Sequence, residues 1–175
     1  MTDIIQKAKK IKLVIFDVDG VLTDGSLFVT ENGEEIKAFN SKDGHGMKML
    51  QNSGVQIAII TGRTSNIVSH RMEELGIEHV YQGKRNKYPA FVELTQKLAL
   101  PPEEVAYVGD DVVDLPVMSH VGLAIAVQDA HDFVKKHADW QTPNKGGKGA
   151  ARDVCELIMD AQGHLQAELA SYLNK

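Results

Sequence analysis

The sequence predicts a doubly wound α/β fold, a parallel sheet with helices on both faces. Three observations lead there. Short, nearly continuous apolar runs recur along the chain, segments with helical spacing separate them, and most of the runs stop at a polar or glycine-containing turn. Strands buried on both faces and joined through helices form right-handed βαβ units. The 175 residues correspond to one domain, 1–175, and their 43% apolar and 25% charged content is that of an ordinary globular chain.

The elements follow in order. Leu13-Val14-Ile15-Phe16 is the first strand and ends at Asp17. Residues 26–39 break the alternation. They read as two strands around Glu31-Asn32-Gly33-Glu34, and Asn-Gly is a strong hairpin signal, so a β-hairpin is inserted after the first strand. A helix is expected from Gly46 to Asn52, then a strand over Val55–Ile60 that ends at Thr61-Gly62. Ile67, Val68, Met72 and Leu75 give residues 65–75 a helical period, and Gly76 caps that helix. A weaker strand covers His79–Tyr81, and a helix with Pro89 in its first turn covers Tyr88–Leu98. Val105–Val108 is a strand ending at Gly109-Asp110, a helix spans Val112–His120, and Leu123–Val127 is the fifth run. The arrangement is Rossmann-like. Residues 144–175 read as a flexible glycine-rich stretch, 144–149, and one long helix from Ala150 to Leu173. Leu157, Ile158, Ala161, Leu165 and Leu169 form the helix's apolar stripe.

Composition excludes several classes. A net charge of −5 argues against a nucleic-acid partner. Cys155 is the sole cysteine, so no disulfide forms within the chain. Met1–Lys10 is polar and lacks an apolar signal core, and the run Val55–Ile60 is far short of the ~20 residues that span a bilayer. The expectation is a cytoplasmic protein with no membrane partner.

Chemistry concentrates at the strand ends. Asp17 and Asp19, two residues apart at the end of a buried strand, can aim into one crevice, and in open α/β sheets ligands bind outside those ends. The sequence Gly109-Asp110-Asp111-Val112-Val113-Asp114 brings three more carboxylates to the same edge. Five converging acids repel one another unless a cation intervenes, and hard oxygen ligands suit Mg²⁺. Thr61-Gly62 offers a hydroxyl and free backbone N–H groups at a helix start, which suits phosphate, and Lys87 opens the helix after the third parallel strand. Taken singly, Thr61 reads as a helix cap and Lys87 as a solvated lysine. At successive strand ends they converge with the acids.

In this order, Asp17-x-Asp19-Gly20, Thr61-Gly62, Lys87 and Gly109-Asp110-Asp111-x-x-Asp114, the sequence resembles the haloacid dehalogenase-like phosphohydrolases over residues 12–127. The resemblance implies an aspartyl-phosphate mechanism. Asp17 is then the nucleophile, Asp19 the general acid/base, and Thr61, Gly62 and Lys87 contact the phosphoryl oxygens. Mg²⁺ is held by Asp17, the Asp19 carbonyl and Asp110, with Asp111 acting through water and Asp114 orienting Lys87.

Members of this family often carry a cap domain over the site. Neither the stretch between Asp19 and Thr61 nor that between Thr61 and Lys87 has room for one. A neighbouring subunit is the economical means of closing the crevice. Leu22-Thr23-Asp24-Gly25, Phe39-x-x-Lys42-Asp43-Gly44, Gly62-Arg63 and Gly146-Gly147-Lys148-Gly149-Ala150-x-Arg152 are similar to a capless subfamily, the 3-deoxy-D-manno-octulosonate 8-phosphate phosphatases of lipopolysaccharide sugar synthesis. That likeness implies a homotetramer built through the hairpin, with the glycine-rich tail reaching toward a neighbour's site. Lys42 stands where the pattern has Arg, which keeps the charge but weakens bidentate carboxylate binding. Lys42, Asp43, Gly44, Arg63 and Lys148 are the candidate substrate contacts. A phosphatase of a nine-carbon sugar acid and a non-catalytic assembly module are the alternative readings.

Overall fold

The structure is a computed structural model that describes residues 2–173. In chain order its strands are β1 (Leu13–Phe16), β2 (Phe28–Val29), β3 (Glu35–Ile36), β4 (Gln56–Ile60), β5 (His79–Tyr81), β6 (Val105–Gly109), β7 (Leu123–Ala126) and β8 (Trp140–Gln141). The helices are α1 (Thr2–Ala8), α2 (Ser41–Asn52), α3 (Asn66–Glu74), α4 (Tyr88–Leu98), α5 (Leu115–Met118), α6 (Asp132–His137), α7 (Ala150–Ala161) and α8 (Leu165–Ser171). Strands β2 and β3 form the antiparallel hairpin, and the other six make a sheet in the order β5-β4-β1-β6-β7-β8. Every pair in that sheet is parallel.

β1 is central, with Phe16 opposite Ile59 on one side and Val108 on the other. All four of its residues are buried, as a β-branched run covered on both faces must be. From β1 the chain proceeds outward through β4 to β5, then returns to the far side of β1 for β6 to β8. The order reverses between β1 and β6, and a crevice opens outside the carboxyl ends of strands at such a reversal. Asp17 and Asp110 directly follow those two strands. α7 packs on α1 and α2, while α5 packs on α4 and α6, giving the two helical layers.

Several boundaries differ from the sequence expectation for identifiable reasons. α2 begins at Ser41 rather than Gly46, because the Asn40 side chain accepts from the N–H groups of Lys42 and Asp43 and caps it. Glycine disfavours a helix interior, yet Gly44 and Gly46 sit here under tight packing. A Cβ on Gly46 would lie 2.6 Å from Cδ of Arg152 on α7, and one on Gly44 would lie 2.3 Å from the Arg71 guanidinium. The expected helix over 112–120 is a 3-10 turn, Val112–Asp114, followed by α5. The long C-terminal helix is two helices, broken at Gly163, whose φ of +78° lies in the left-handed region that favours glycine. The Gln162 side-chain amide donates there to the carbonyls of Ala8 and Ile11. The stripe divides accordingly: Ile158 and Ala161 are buried, whereas Leu169 on α8 is exposed.

The hairpin projects from the sheet with apolar side chains outward. Leu27, Phe28, Val29 and Ile36 are each more than half exposed. No helix among the described residues is long and apolar enough to cross a membrane.

Cys155 is fully buried on α7, and burial, reinforced by the nearby Asp43 charge, pushes its thiol well above the usual range. A thiol that stays protonated and covered does not react. Aromatic disulfide reagents are therefore expected to leave the native protein unlabelled and to label one thiol per chain in denaturant.

Candidate active site

Asp17 prolongs β1, its N–H still donating to the Val108 carbonyl at 3.1 Å. Its carboxylate is held from two sides: Oδ1 accepts from the N–H of Val18 at 2.7 Å, and Oδ2 lies 2.6 Å from Nζ of Lys87. Gly20 follows with φ of +88°, and a Cβ there would lie 2.1 Å from Oδ2 of Asp110. Glycine therefore serves this position twice. It permits the left-handed turn that folds the loop back, and it leaves room for the Asp110 carboxylate beside it.

Lys87 is buried in front of α4, an expensive place for an ammonium group unless it is paired. It bridges two carboxylates, 2.6 Å from Asp17 and 2.7 Å from Asp114. Asp114 has no exposed surface and is fully used. Oδ1 accepts from Lys87 and from the Tyr107 hydroxyl at 2.6 Å, while Oδ2 accepts from the N–H groups of Asp110 at 3.0 Å and Asp111 at 3.2 Å. Four donors saturate the lone pairs of one carboxylate.

The charges respond to this crowding. Burial, then the Asp114 charge, push Asp17 up to about 6 despite the opposing pull of Lys87. Burial and the charges of Asp114 and Asp17 push Asp110 up to about 8. Burial alone would lower the Lys87 ammonium, but the two carboxylates beside it outweigh burial and raise it. The site holds more negative charge than its one buried lysine neutralises.

That deficit fits a divalent cation. Asp17, Asp110 and Asp114 each offer an oxygen within 4.8 Å of the others. Asp114 has no lone pair to spare, which leaves Asp17 and Asp110 as the carboxylates able to hold a cation. Gly20, which keeps a methyl group out of the space beside the Asp110 carboxylate, is consistent with that use. Hard oxygen donors of this number suit Mg²⁺ completed by water.

A crevice of about 420 Å³ opens over these residues. Asp17, Asp19, Thr61, Gly62, Arg63, Lys87, Asp110 and Asp111 all line it, so the structure brings together the residues expected at the strand ends. Thr61 follows β4, and its backbone is pinned by Tyr81 and Lys84. Asp111 is exposed, and its side chain accepts from the N–H of Val112 at 2.7 Å to cap the 3-10 turn. Asp114 lies behind the crevice, 2.7 Å from Nζ of Lys87.

The candidate substrate contacts divide. Arg63 lines the crevice, whereas Lys42, Asp43, Gly44 and Lys148 do not. Asp43 is buried and accepts from the N–H groups of Gly149 and Arg152, so it fixes the start of α7. Gly44 serves close packing against Arg71. Lys42 and Lys148 are exposed, Lys148 lying 3.7 Å from Asp24. The glycine-rich stretch is folded onto its own chain rather than hanging free. Gly146 donates to Asp129 at 2.9 Å and Gly147 to the Val21 carbonyl at 2.8 Å. A Cβ on Gly146 would lie 1.8 Å from the Gly20 carbonyl oxygen, so these glycines permit contact with the loop after Asp19.

Sequence reasoning missed Arg85, which lines the crevice from the loop before α4, and Lys37 and Glu35 on the hairpin, which pair with Asp19 and Arg63. Arg85 stands in a polar loop with no spacing signal. The alternation Glu35-Ile36-Lys37 could have revealed the other two as one face of a strand.

Comparison with known proteins places this geometry. Residues 77–152, which include Lys87 and Asp110–Asp114, match the model of the haloacid dehalogenase-like hydrolase family. The chain is 53% identical over 163 residues to 3-deoxy-D-manno-octulosonate 8-phosphate phosphatase KdsC of Escherichia coli K12, an alignment that covers 93% of this chain and 87% of that protein. The chain belongs to the haloacid dehalogenase-like hydrolases. Among solved structures, 3-deoxy-D-manno-octulosonate 8-phosphate phosphatase of Moraxella catarrhalis, in complex with magnesium, phosphate and KDO, superposes with a TM-score of 0.96 at 44% identity, covering 98% of this chain and 99% of that one. The Yersinia pestis enzyme of the same name superposes with a TM-score of 0.93 at 49% identity, covering 94% and 89%.

The charge deficit has a measurable consequence. Asp110→Asn removes one of the crowded carboxylates and one of the groups that could hold a cation. In EDTA the variant is expected to melt above the parent protein. Added Mg²⁺ should raise the melting temperature of the parent and leave the variant almost unmoved.

Proposed function

We propose that this chain is a Mg²⁺-dependent phosphatase that hydrolyses 3-deoxy-D-manno-octulosonate 8-phosphate to the sugar acid and phosphate, in the cytoplasm, as a step of lipopolysaccharide sugar synthesis. The observation that carries the reading is the convergence of Asp17, Asp19, Lys87 and Asp110 in one crevice of a chain so similar to proteins of that name.

The residues divide the work as follows. Asp17 attacks phosphorus, and the bond from phosphorus to the sugar oxygen breaks as Asp19 gives that oxygen its proton, leaving an aspartyl phosphate. Asp19, now a carboxylate, takes a proton from water. The water oxygen attacks phosphorus, the bond to Asp17 breaks, and phosphate leaves. Lys87 stabilises the phosphoryl oxygens while Asp114 holds its ammonium in place, and Thr61 and Gly62 offer a hydroxyl and N–H groups to the same oxygens. The carboxylates of Asp17 and Asp110 and the Asp19 carbonyl would hold Mg²⁺, which supplies the charge that lets a phosphate dianion approach carboxylates. At the crevice mouth, Arg63 and Arg85 provide guanidinium groups for the carboxylate of the sugar acid.

No element of the described residues lines the crevice as a lid, and the hairpin beside it carries exposed Leu27, Phe28, Val29 and Ile36. An apolar cluster of this kind calls for a covering surface. A homotetramer assembled through the hairpins supplies one and brings neighbouring chains to the crevice, where the exposed Lys42 and Lys148 become available to the sugar.

Purified protein should release phosphate from 3-deoxy-D-manno-octulosonate 8-phosphate and from p-nitrophenyl phosphate, and EDTA should abolish both reactions. Asp17→Asn should reduce both to background, and turnover retained by that variant would remove Asp17 from the nucleophile's role. Faster hydrolysis of the nine-carbon analogue would reassign the substrate. Light scattering should give four times the 19.2 kDa chain mass, and Phe28→Asp should shift the protein to smaller species. A parent protein that is monomeric would refute the assembly.

A further inference from the structure

Lys37 occupies an unusual place. Its hairpin is largely exposed, with neighbouring Ile36 at 59%, yet only 1% of the Lys37 side chain reaches solvent. Strand alternation turns Ile36 outward and both Glu35 and Lys37 toward the loop that follows β1. Lys37 Nζ donates to Oδ1 of Asp19 and lies 3.5 Å from Oε1 of Glu35. Arg63 completes a ring. Its Nη2 donates to Glu35 at 2.7 Å, and its Nε stands 4.0 Å from Oδ2 of Asp19. With Asp19 ionised, two cations and two carboxylates alternate, so the ring is neutral and every buried charge in it is matched. Burial would raise the Glu35 carboxyl, but the Arg63 hydrogen bond and the charges of Lys37 and Arg63 outweigh it and hold the group below the usual range. Glu35 therefore stays anionic and keeps Lys37 in place.

The ring treats the two oxygens of Asp19 differently. Oδ1 is occupied by Lys37, whereas Oδ2 accepts no hydrogen bond among the described residues. We propose that Lys37 is the positioning residue for Asp19: it anchors Oδ1 and leaves Oδ2 as the oxygen that passes the proton. This rests on the reading of Asp19 as general acid and base. In the first step the sugar oxygen takes the proton from Oδ2 as its bond to phosphorus breaks. In the second, Oδ2 takes the proton of the attacking water as the bond between phosphorus and Asp17 breaks. A carboxylate free to turn about its side chain meets both requirements only part of the time, and loss of orientation of this kind costs a proton transfer on the order of 100-fold.

The leaving group separates this role from a merely structural one. p-Nitrophenolate departs without a proton, whereas a sugar alkoxide does not. Rapid-quench measurements would compare Lys37→Met, Lys37→Arg and Glu35→Gln with the parent on both substrates. Lys37→Met is expected to release p-nitrophenol in the first turnover within about threefold of the parent rate and then to turn over slowly. With the sugar phosphate, its first turnover and its kcat should both fall about 100-fold with KM within about threefold. Lys37→Arg, which restores a donor, should recover most of the loss. Glu35→Gln loosens Lys37 without removing it and should show the same split at smaller amplitude. Equal losses on the two substrates in the first turnover, or a raised KM with kcat kept, would overturn the proposal. If Lys37→Met does not fold, Glu35→Gln decides, and no split in that variant overturns it. If the parent ignores the sugar phosphate, the functional reading fails, while glycerol phosphate as the alkyl substrate still tests Lys37.

Discussion

The whole site depends on one buried ion pair, that between Lys87 and Asp114. Asp114 lies where no water can reach it, so its charge must be matched from within. Lys87, the Tyr107 hydroxyl and two backbone N–H groups do this completely. The consequence reaches across the crevice. Lys87 is held against Asp17, and the loop that carries Asp110 is tied down through the same carboxylate. A lysine alone in this position would lose its charge or swing to solvent. Bound between two aspartates, it remains a fixed cation at the floor of the site, and that is what an incoming phosphoryl group requires.

The same pair leaves the site short of positive charge. With one lysine for three carboxylates, Asp17 and Asp110 are both held well above their ordinary range. In a structural protein such crowding would be a defect. Here it suits a divalent cation and, on the proposed function, a phosphate beside it. Close backbone approach makes the crowding possible. Gly20 leaves room for Asp110, and Gly146 lies on Gly20 from the other side. Three segments far apart in sequence converge on one turn that tolerates no side chain.

Much of this was legible in the sequence, and the physical reason is the strand ends. A parallel sheet places the residue after each strand on one edge, so Asp17, Thr61 and Asp110 could be grouped without coordinates, and Lys87 joined them as the residue opening the next helix. What was not legible came from interactions without local periodicity. β8 has two residues and stands beside β7 because Asp139, just before it, bonds both the N–H and the carbonyl of Ala124. α1 is held partly by the pair between Lys7 and Asp139. The start of α2 was hidden by Gly44 and Gly46, which suggest a loop in sequence and prove to be points of close packing. The stretch 144–149 misleads in the same way. Its glycines admit the neighbouring backbone rather than confer flexibility, and a rule that equates glycine with freedom misreads it.

The hairpin ties the crevice to an exposed apolar surface. A two-residue ladder is too small to be stable alone and must be held by something else. On its inner face that support is the ring of Lys37, Glu35, Arg63 and Asp19, which joins the hairpin to the reacting end of β1. On its outer face Phe28 and Ile36, paired across the two strands, remain more than half exposed. One small element therefore carries an exposed apolar surface and a charged surface matched by Asp19 and Arg63. Covering the first restrains the second, because two paired strands move as a unit. On the proposed assembly and the proposed role of Asp19, a neighbour covering the hairpin would also restrain the residue that passes the proton, and no separate cap domain would be needed.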